Sequence, residues 1–323
     1  MKRRSLTLSA AALALVPLLG HAQQQAFPEK PITFVVPFAA GTATDQIARA
    51  LGNSITAETK QPVVIDNKAG ASGFIASQQA AKAAADGYTV LITTNTTHAA
   101  NEHLFKKLPY DPVKDYAPIT ALGKGGQIMV VNPSFPAKSV AEFVALAKKE
   151  PGKYSFGSGS SSSRMAGELL QQMADIKLLH VPYKSNTLAV TDLLGGQIHM
   201  MITDAATGLP QVKGGKLRAL GVSSAARSPL APDVPTISEA GVKGYEMGYW
   251  FAAYAPAKTL PAVVKRLNEL LVKAAKSESA KTAFYEPTGT EVFTTSPEEL
   301  AKFQTGESQK WGRIVKAAGI EAE

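Results

Sequence analysis

The chain has 323 residues, 45% of them apolar, no cysteine, and a formal net charge of +8. That is long enough for two ordinary domains with real cores, and the composition excludes a disordered or fibrous chain. Zero cysteine excludes disulfides and a cysteine-borne lipid anchor, and scattered lysines without interleaved aromatics argue against nucleic-acid binding.

At the start, Lys2, Arg3 and Arg4 precede an apolar run at 6–19 and "GHA" at 20–22. This reads as a cleavable secretory signal, residues 1–22, cut after Ala22. The run is shorter than the ~20 residues a membrane-spanning helix needs and no second one follows, so the mature protein is expected to be soluble and periplasmic. Of the 8 net charges, the 3 on Lys2, Arg3 and Arg4 leave with the signal; the remaining 5 suit a mild attraction for an anionic small molecule.

"ITFVV" (32–36) then reads as a buried strand, and Ile47, Ala48, Leu51 and Ile55 follow at helical spacing. "PVVI" (62–65) is a second strand, "SGFIASQQAAKAA" (72–84) a helix and "YTVLIT" (88–93) a third strand, which makes βαβαβ and a mostly parallel sheet. After a Pro-containing connection at 108–118, "QIMVV" (127–131) opens a second series. Ser139 with Glu142 forms a capping box, and strands are expected at "YSFG", "LLHVPY", "IHMMIT" and "LRALGV". "YWFAAYAP" (249–256) reads as a return strand, followed by a helix over 260–276 and another after the capping box of Ser296 and Glu299.

The pattern predicts two α/β lobes. Lobe 1 is discontinuous, 27–125 plus about 236–323, lobe 2 spans about 126–235, and two crossings make a hinge.

Catalytic signatures are missing: there is no G-x-S-x-G, G-x-G-x-x-G, Walker loop or H-E-x-x-H. His98 and His103 are five apart without a third ligand nearby, so a surface or helix-face role is expected, with no metal and no cofactor.

Two loops stand out, "FAAGTATD" (38–45) and "GSGSSSSR" (157–164), each leading from a strand into a helix. First-turn backbone N–H groups lack intrahelical partners and carry the positive end of the helix dipole, so small side chains let an anion reach them. Thr42, Asp45 and Ser163 are equally good helix caps, and one such loop would mean little. Two, one per hinged lobe, favour a carboxylate or phosphate site at the carboxyl ends of the strands. Asp45 must turn away from such an anion, to cap its own helix or to meet a cation or hydroxyl of the ligand. Phe38 with Tyr249 or Trp250 could form an aromatic slot or simply pack the hinge.

In order, "FPEKPITFVVPFAAGTATDQIAR", "VVIDNKAGASGFIAS", "LPYDPVKDYAPIT", "VPYKSNTLAVTDLLGGQI" and "GKLRALGVSSAARSPLAPDVPTISEAG" resemble the signatures of the Bug family, periplasmic receptors of tripartite tricarboxylate transporters. The resemblance covers nearly the whole mature chain. It implies a two-lobed, type II-like periplasmic-binding-protein fold that closes on an organic acid and delivers it to a membrane permease, without being an enzyme. The ligand could be a mono-, di- or tricarboxylate, possibly aromatic, and the protein a monomer.

Carried over residue by residue, the resemblance points to Phe38, Gly41, Thr42, Ala43 and Asp45 in the first loop. In the second it points to Ser158, Gly159, Ser160, Ser161 and Ser162. Thr94, Asn95 and Thr96 after the third strand, and Asp204 after "MMIT", plausibly face the same cleft. There are departures: the family usually has two glycines where this chain has Gly41 and Thr42, and often histidine where it has Arg164. Arg164 either grips a second ligand carboxylate or sits solvated on its helix.

Two other readings compete. A secreted serine hydrolase would need a base and an orienting acid near a serine of the second loop, and no recognisable arrangement of them is present. A ligand-sensing partner of a membrane kinase would use the same cleft.

Overall fold

The computed structural model describes residues 27–317 and 319–322; the expected signal peptide lies outside them. Strand β1 (Ile32–Val36) pairs in parallel with β2 (Val63–Asn67) on one side and β3 (Thr89–Thr94) on the other. Helix α1 (Ala43–Thr59) buries Ile47, Ala48, Leu51 and Ile55, the residues whose spacing forecast it. Helix α2 (Phe74–Ala81) is shorter than 72–84, because a 3₁₀ turn at Ala71–Gly73 occupies its start.

A π-helical turn, Thr96–Ala100, and the short α3 (Asn101–Leu104) follow β3. Next comes β4 (Tyr116–Val131), 16 residues long where only 127–131 read as strand. Its first part, "YAPITALGKGG", is rich in alanine, glycine and proline, which carry little strand propensity. What makes it a strand is pairing with β9 (Gly248–Pro256), from Tyr116↔Pro256 to Gly126↔Gly248.

Between these two strands lie α4 (Val140–Lys149), β5 (Ser155–Ser158), α5 (Ser161–Ala174), β6 (Leu179–Pro182) and α6 (Asn186–Leu194). They are followed by β7 (Met200–Asp204), α7 (Ala205–Lys213) and β8 (Arg218–Val222). Past β9 come α8 (Pro261–Ala275), the short α9 (Glu278–Ala280) and α10 (Glu286–Thr288), and α11 (Pro297–Ala317).

The sheet order is β2-β1-β3-β9-β4-β7-β5-β6, with β8 also on β4. Pairing is parallel within β2-β1-β3 and β6-β5-β7 and antiparallel wherever β4 or β9 takes part, so the sheet is mixed, with one parallel block per lobe. This is the α/β two-lobed architecture expected. The change of partner on β4 falls between Gly126, paired with Gly248, and Gln127, paired with Asp204.

The late helices return to the first lobe. Trp250 Nε1 donates to Glu307 Oε2 at 3.1 Å and Tyr254 OH to Gln304 Oε1 at 3.1 Å, anchoring α11, whose Trp311 is buried.

His98 departs from expectation. It is fully buried, its ring stacks on Tyr254 with centroids 4.0 Å apart, and its Nδ1 shares a 2.8 Å hydrogen bond with Thr97 Oγ1. Burial pulls its pKa from 6.5 down to about 3. Between those values the unfolded imidazole takes up a proton that the folded one refuses, so folding stability falls as pH falls across that window. We expect this residue to contribute a slope of about 1.4 kcal/mol per pH unit. Urea titrations of the wild type and His98→Gln at several pH values check this: the variant should show the shallower acid loss, and parallel curves would contradict a buried neutral imidazole.

Candidate functional site

The carboxyl ends of β1, β3, β5 and β7 meet at one place, and each strand hands the chain to a helix or turn there. Thr42 caps α1, Ser160 caps α5, Ser185 caps α6 and Asp204 caps α7, each accepting from a backbone N–H three residues on. Capping satisfies one first-turn amide per helix and leaves the others pointing past the end. In α1 those are the amides of Ala43 and Thr44; in α5, those of Ser161 and Ser162.

A slit lies between them, about 30 Å³ in volume. Phe38, Thr42, Ala43, Thr44 and Thr94 line it from the first lobe, and Gly159, Ser160, Ser162, Asn186 and Asp204 from the second. Gln127, Tyr249 and Phe251 of the crossing strands form its floor. Beside it a cavity of about 390 Å³, the mouth, shares Phe38, Gly159 and Ser160 with the slit and adds Ser158, Ser161, Arg164 and His180. A larger groove, about 780 Å³, runs along the hinge side, where Lys124 and Glu291 pair at 3.4 Å. Volume favours that groove, but the slit is lined by cap and first-turn residues of helices from both lobes, Thr42, Ala43 and Thr44 of α1 and Ser160 and Ser162 of α5.

The first loop explains its departure from two glycines. Gly41 has φ +81°, a left-handed conformation that side chains resist, whereas Thr42 is extended at φ −74°, ψ 161°. Only one glycine is required, and threonine at the second position adds a cap. Gly41 and Asp45 do not line the slit: Gly41 N–H donates to Asp45 Oδ2 at 2.9 Å, and Arg49 donates to the same oxygen at 3.0 Å. Asp45 therefore holds its own loop and faces away from a ligand. Burial works against its charge, but hydrogen bonds from Arg49, the Gly41 amide and Asn67, together with the Arg49 charge, outweigh that and hold its pKa below 3.8.

In the second loop Ser160 and Ser162 spend their hydroxyls on the loop itself, and Ser163 reaches Asn186 beside it. Ser160 Oγ accepts from Ser163 N–H at 3.3 Å and bonds Ser162 Oγ at 3.1 Å, while Ser163 Oγ donates to Asn186 Oδ1 at 3.0 Å. Gly159 N–H donates to the same Asn186 oxygen at 3.0 Å, and Asn186 Nδ2 donates to Asp204 Oδ2 at 3.0 Å. A Cβ on Gly159 would sit 1.8 Å from the Ser185 carbonyl carbon, so no side chain fits there. Asp204 lines the slit but uses Oδ1 to accept from Thr207 N–H at 2.9 Å.

Ser161 is different, because its hydroxyl crosses between the lobes and donates to Asn101 Oδ1 at 2.8 Å. Asn101 is fully buried and is itself oriented by donating to the Ser72 carbonyl at 3.0 Å.

Thr94, which ends β3, reaches the slit, while Asn95 and Thr96 are buried behind it. Asn95 Nδ2 donates to the Gly248 carbonyl at 3.5 Å, and Thr96 N–H to Thr94 Oγ1 at 3.1 Å. Arg164 lies in the mouth with its Nε 3.9 Å from Glu168 Oε1. Tyr249 lines the slit; Trp250 lines the hinge groove.

Sequence reasoning missed Gln127, Asn186 and His180. Gln127 is buried and its Oε1 has no hydrogen-bond partner, an unmet polar atom on the slit floor. Nothing in "GGQIMVV" or "YKSNTL" marks those side chains as cleft-facing. Among the described residues no group of three or more His, Cys, Asp or Glu is placed to hold a metal ion, and no helix is long and apolar enough to cross a membrane.

Two α/β lobes on shared crossing strands, with helix ends facing across a cleft, define a periplasmic binding protein. Residues 47–320 match the TctC family, described as the tripartite tricarboxylate transporter family receptor, and this chain belongs to it. It is 34% identical over 298 residues to protein BugT of Bordetella pertussis, covering 91% of both chains, which bears out the Bug-family resemblance. Among solved structures it is similar to R. palustris Rpa4515 with adipate, at 33% identity and TM-score 0.89 over 92% of this chain and all of that one. It is similar also to the periplasmic binding protein BugD, at 32% identity and TM-score 0.87 with the same coverage.

The Asp45 contacts make a prediction. Its depressed pKa supplies stability that is present above pH 3.8 and lost as pH falls through the folded-state value. Asp45→Asn should therefore cost about 1.5 to 3 kcal/mol at neutral pH, the worth of hydrogen bonds to a charged group, with the gap closing in acid. Denaturant melts at pH 7 and below 3.8 measure it; a constant gap would mean that the carboxylate charge contributes nothing.

Proposed function

We propose that this chain is a periplasmic receptor that captures a small organic carboxylate in the inter-lobe slit and delivers it to the membrane permease of a tripartite tricarboxylate transporter. One observation carries the reading: the slit is lined by cap and first-turn residues of α1 and α5 from opposite lobes, while Thr42 Oγ1 and Ser160 Oγ are already taken up in capping their own helices. Backbone N–H groups at two helix ends suit a carboxylate without any basic side chain. The adipate complex of Rpa4515 supports the ligand class.

We assign the signal peptide to residues 1–22 with cleavage after Ala22, and the working form to a monomer. The lobe boundary belongs at 126/127 and near 247, later than the 236 read from sequence. Met247 N–H donating to the Ser223 carbonyl at 2.9 Å and Tyr245 OH donating to the Ala166 carbonyl at 2.7 Å support keeping that segment with the second lobe.

Ser158 Oγ and His180 Nε2 share a 2.7 Å hydrogen bond at the mouth, which favours a second reading as a hydrolase. The family match is to a solute-binding receptor, so we rank it below the receptor. Incubation with esters and amides of candidate acids followed by mass spectrometry separates the two: hydrolysis would overturn the receptor reading, and intact recovery supports it.

The amide cradle is tested at Ser162, since Ser161→Ala would also remove the bond to Asn101. Proline lacks an N–H yet fits the first turn of a helix. Ser162→Pro should weaken carboxylate binding about 10- to 150-fold, and Ser162→Ala by less. Calorimetric titration of both folded variants decides; an intact Ser162→Pro beside a dead Ser162→Ala would mean that a hydroxyl does the holding. Ligand should also close the lobes, shifting small-angle scattering of Asn101→Ala, which lacks the inter-lobe bond, towards a smaller radius of gyration. No change at saturating ligand would count against a clamshell.

A further inference from the structure

We infer that Gln127 recognises a hydrogen-bond donor on the carbon next to the captured carboxylate, so that the slit prefers 2-hydroxy or 2-amino acids to acids with a bare methylene there. This rests on the proposed carboxylate grip in the slit. Gln127 is 2% exposed, and its Oε1 has no hydrogen-bond partner. Buried polar atoms are normally bonded, and one left open at a slit is met when an incoming molecule brings a donor.

Gln127 borders both the slit and the hinge groove, and the ladder decides which of them its side chain serves. It pairs with Asp204 across the antiparallel β4-β7 ladder, and directly paired residues project from the same face. Asp204 lines the slit, whereas Ile128, the next residue and so on the opposite face, lines the groove with Leu209. The side chain of Gln127 therefore leaves on the slit side. Its main chain is fixed independently, the N–H donating to Ser223 Oγ at 2.6 Å and the carbonyl accepting from Ser223 N–H at 2.8 Å. The strand holds the amide in place without consuming it.

Neighbouring groups leave the task to Gln127. Asp204 Oδ1 accepts from Thr207 N–H at 2.9 Å and Thr207 Oγ1 at 2.7 Å, and Oδ2 from Asn186 Nδ2 at 3.0 Å and Thr203 Oγ1 at 3.4 Å, which fills the roughly four lone-pair sites of a carboxylate. First-turn amides only donate, and the carboxylate they hold only accepts. Neither meets Oε1. At about 30 Å³ the slit admits little beyond the carboxylate and what is attached beside it, so a donor on the adjoining carbon is brought against the floor.

Calorimetric titration of the chain beginning after Ala22 tests this with succinate, adipate and hexanoate, each beside its 2-hydroxy and 2-amino forms. For a parent acid that binds, at least one 2-substituted form should bind about 5- to 150-fold more tightly, the worth of meeting a buried acceptor. Which form gains identifies the donor as hydroxyl or ammonium. Gln127→Met, similar in length with a thioether that is at most a weak acceptor, should bring that ratio to within about threefold of unity. Gln127→Glu keeps an acceptor at the same reach and should retain the preference, which separates loss of the acceptor from disturbance of the floor. Parent acids that match their 2-substituted forms in the wild type, or a preference that survives Gln127→Met or is lost in Gln127→Glu too, overturn the role of Gln127 and leave the carboxylate receptor standing. No binding of any acid in the panel overturns the receptor and this role together.

Discussion

The ladder between β4 and β9 is the constraint on which everything else depends, because these are the strands that carry the chain between lobes. A strand cannot leave one set of partners without losing backbone hydrogen bonds unless another set takes over, and β4 makes that exchange between Gly126 and Gln127. Register shifts between Pro118 and Thr120 and between Ala121 and Gly123 bend the ladder on the first-lobe side. The bend and the partner exchange together set where the two parallel blocks sit, and so bring the ends of β1 and β3 opposite those of β5 and β7.

With strand ends opposed, the starts of α1 and α5 are opposed as well, and on the proposed reading their first-turn amides hold the ligand. The side chains around them serve the backbone. Asp45 ties Gly41 to Arg49, Asn186 gathers Gly159, Ser163 and Asp204, and Thr42 and Ser160 cap. The polar loops look like a cluster of ligand groups in sequence, yet much of that polarity builds a rigid frame for main-chain donors.

The alternation of β-branched runs with helical periodicity let the fold class be read from sequence, since burial on both faces of a parallel strand and one face of a helix leaves separate periods. The first half of β4 was illegible for the same reason: "ALGKGG" has no period, and its strand character comes from a partner far along the chain, as in Ala121 pairing with Ala252. The two loops could be read because glycine, serine and threonine before a helix have a local meaning. Asn186, Gln127 and His180 could not, because their roles arise from tertiary approach alone. Asp45 was legible as a position and ambiguous as a role until Arg49, one turn along, was seen to share it.

The bond from Ser161 to Asn101 spans the lobes beside a slit too narrow for passage. For the lobes to part that bond must break, so widening of the slit is bounded in rate by the motion of the lobes. Domain motions of this kind run in about microseconds to milliseconds. A single hydroxyl–amide contact thus ties the state of the cleft to the relative position of the lobes, so whatever moves one lobe against the other acts on the slit without touching its lining.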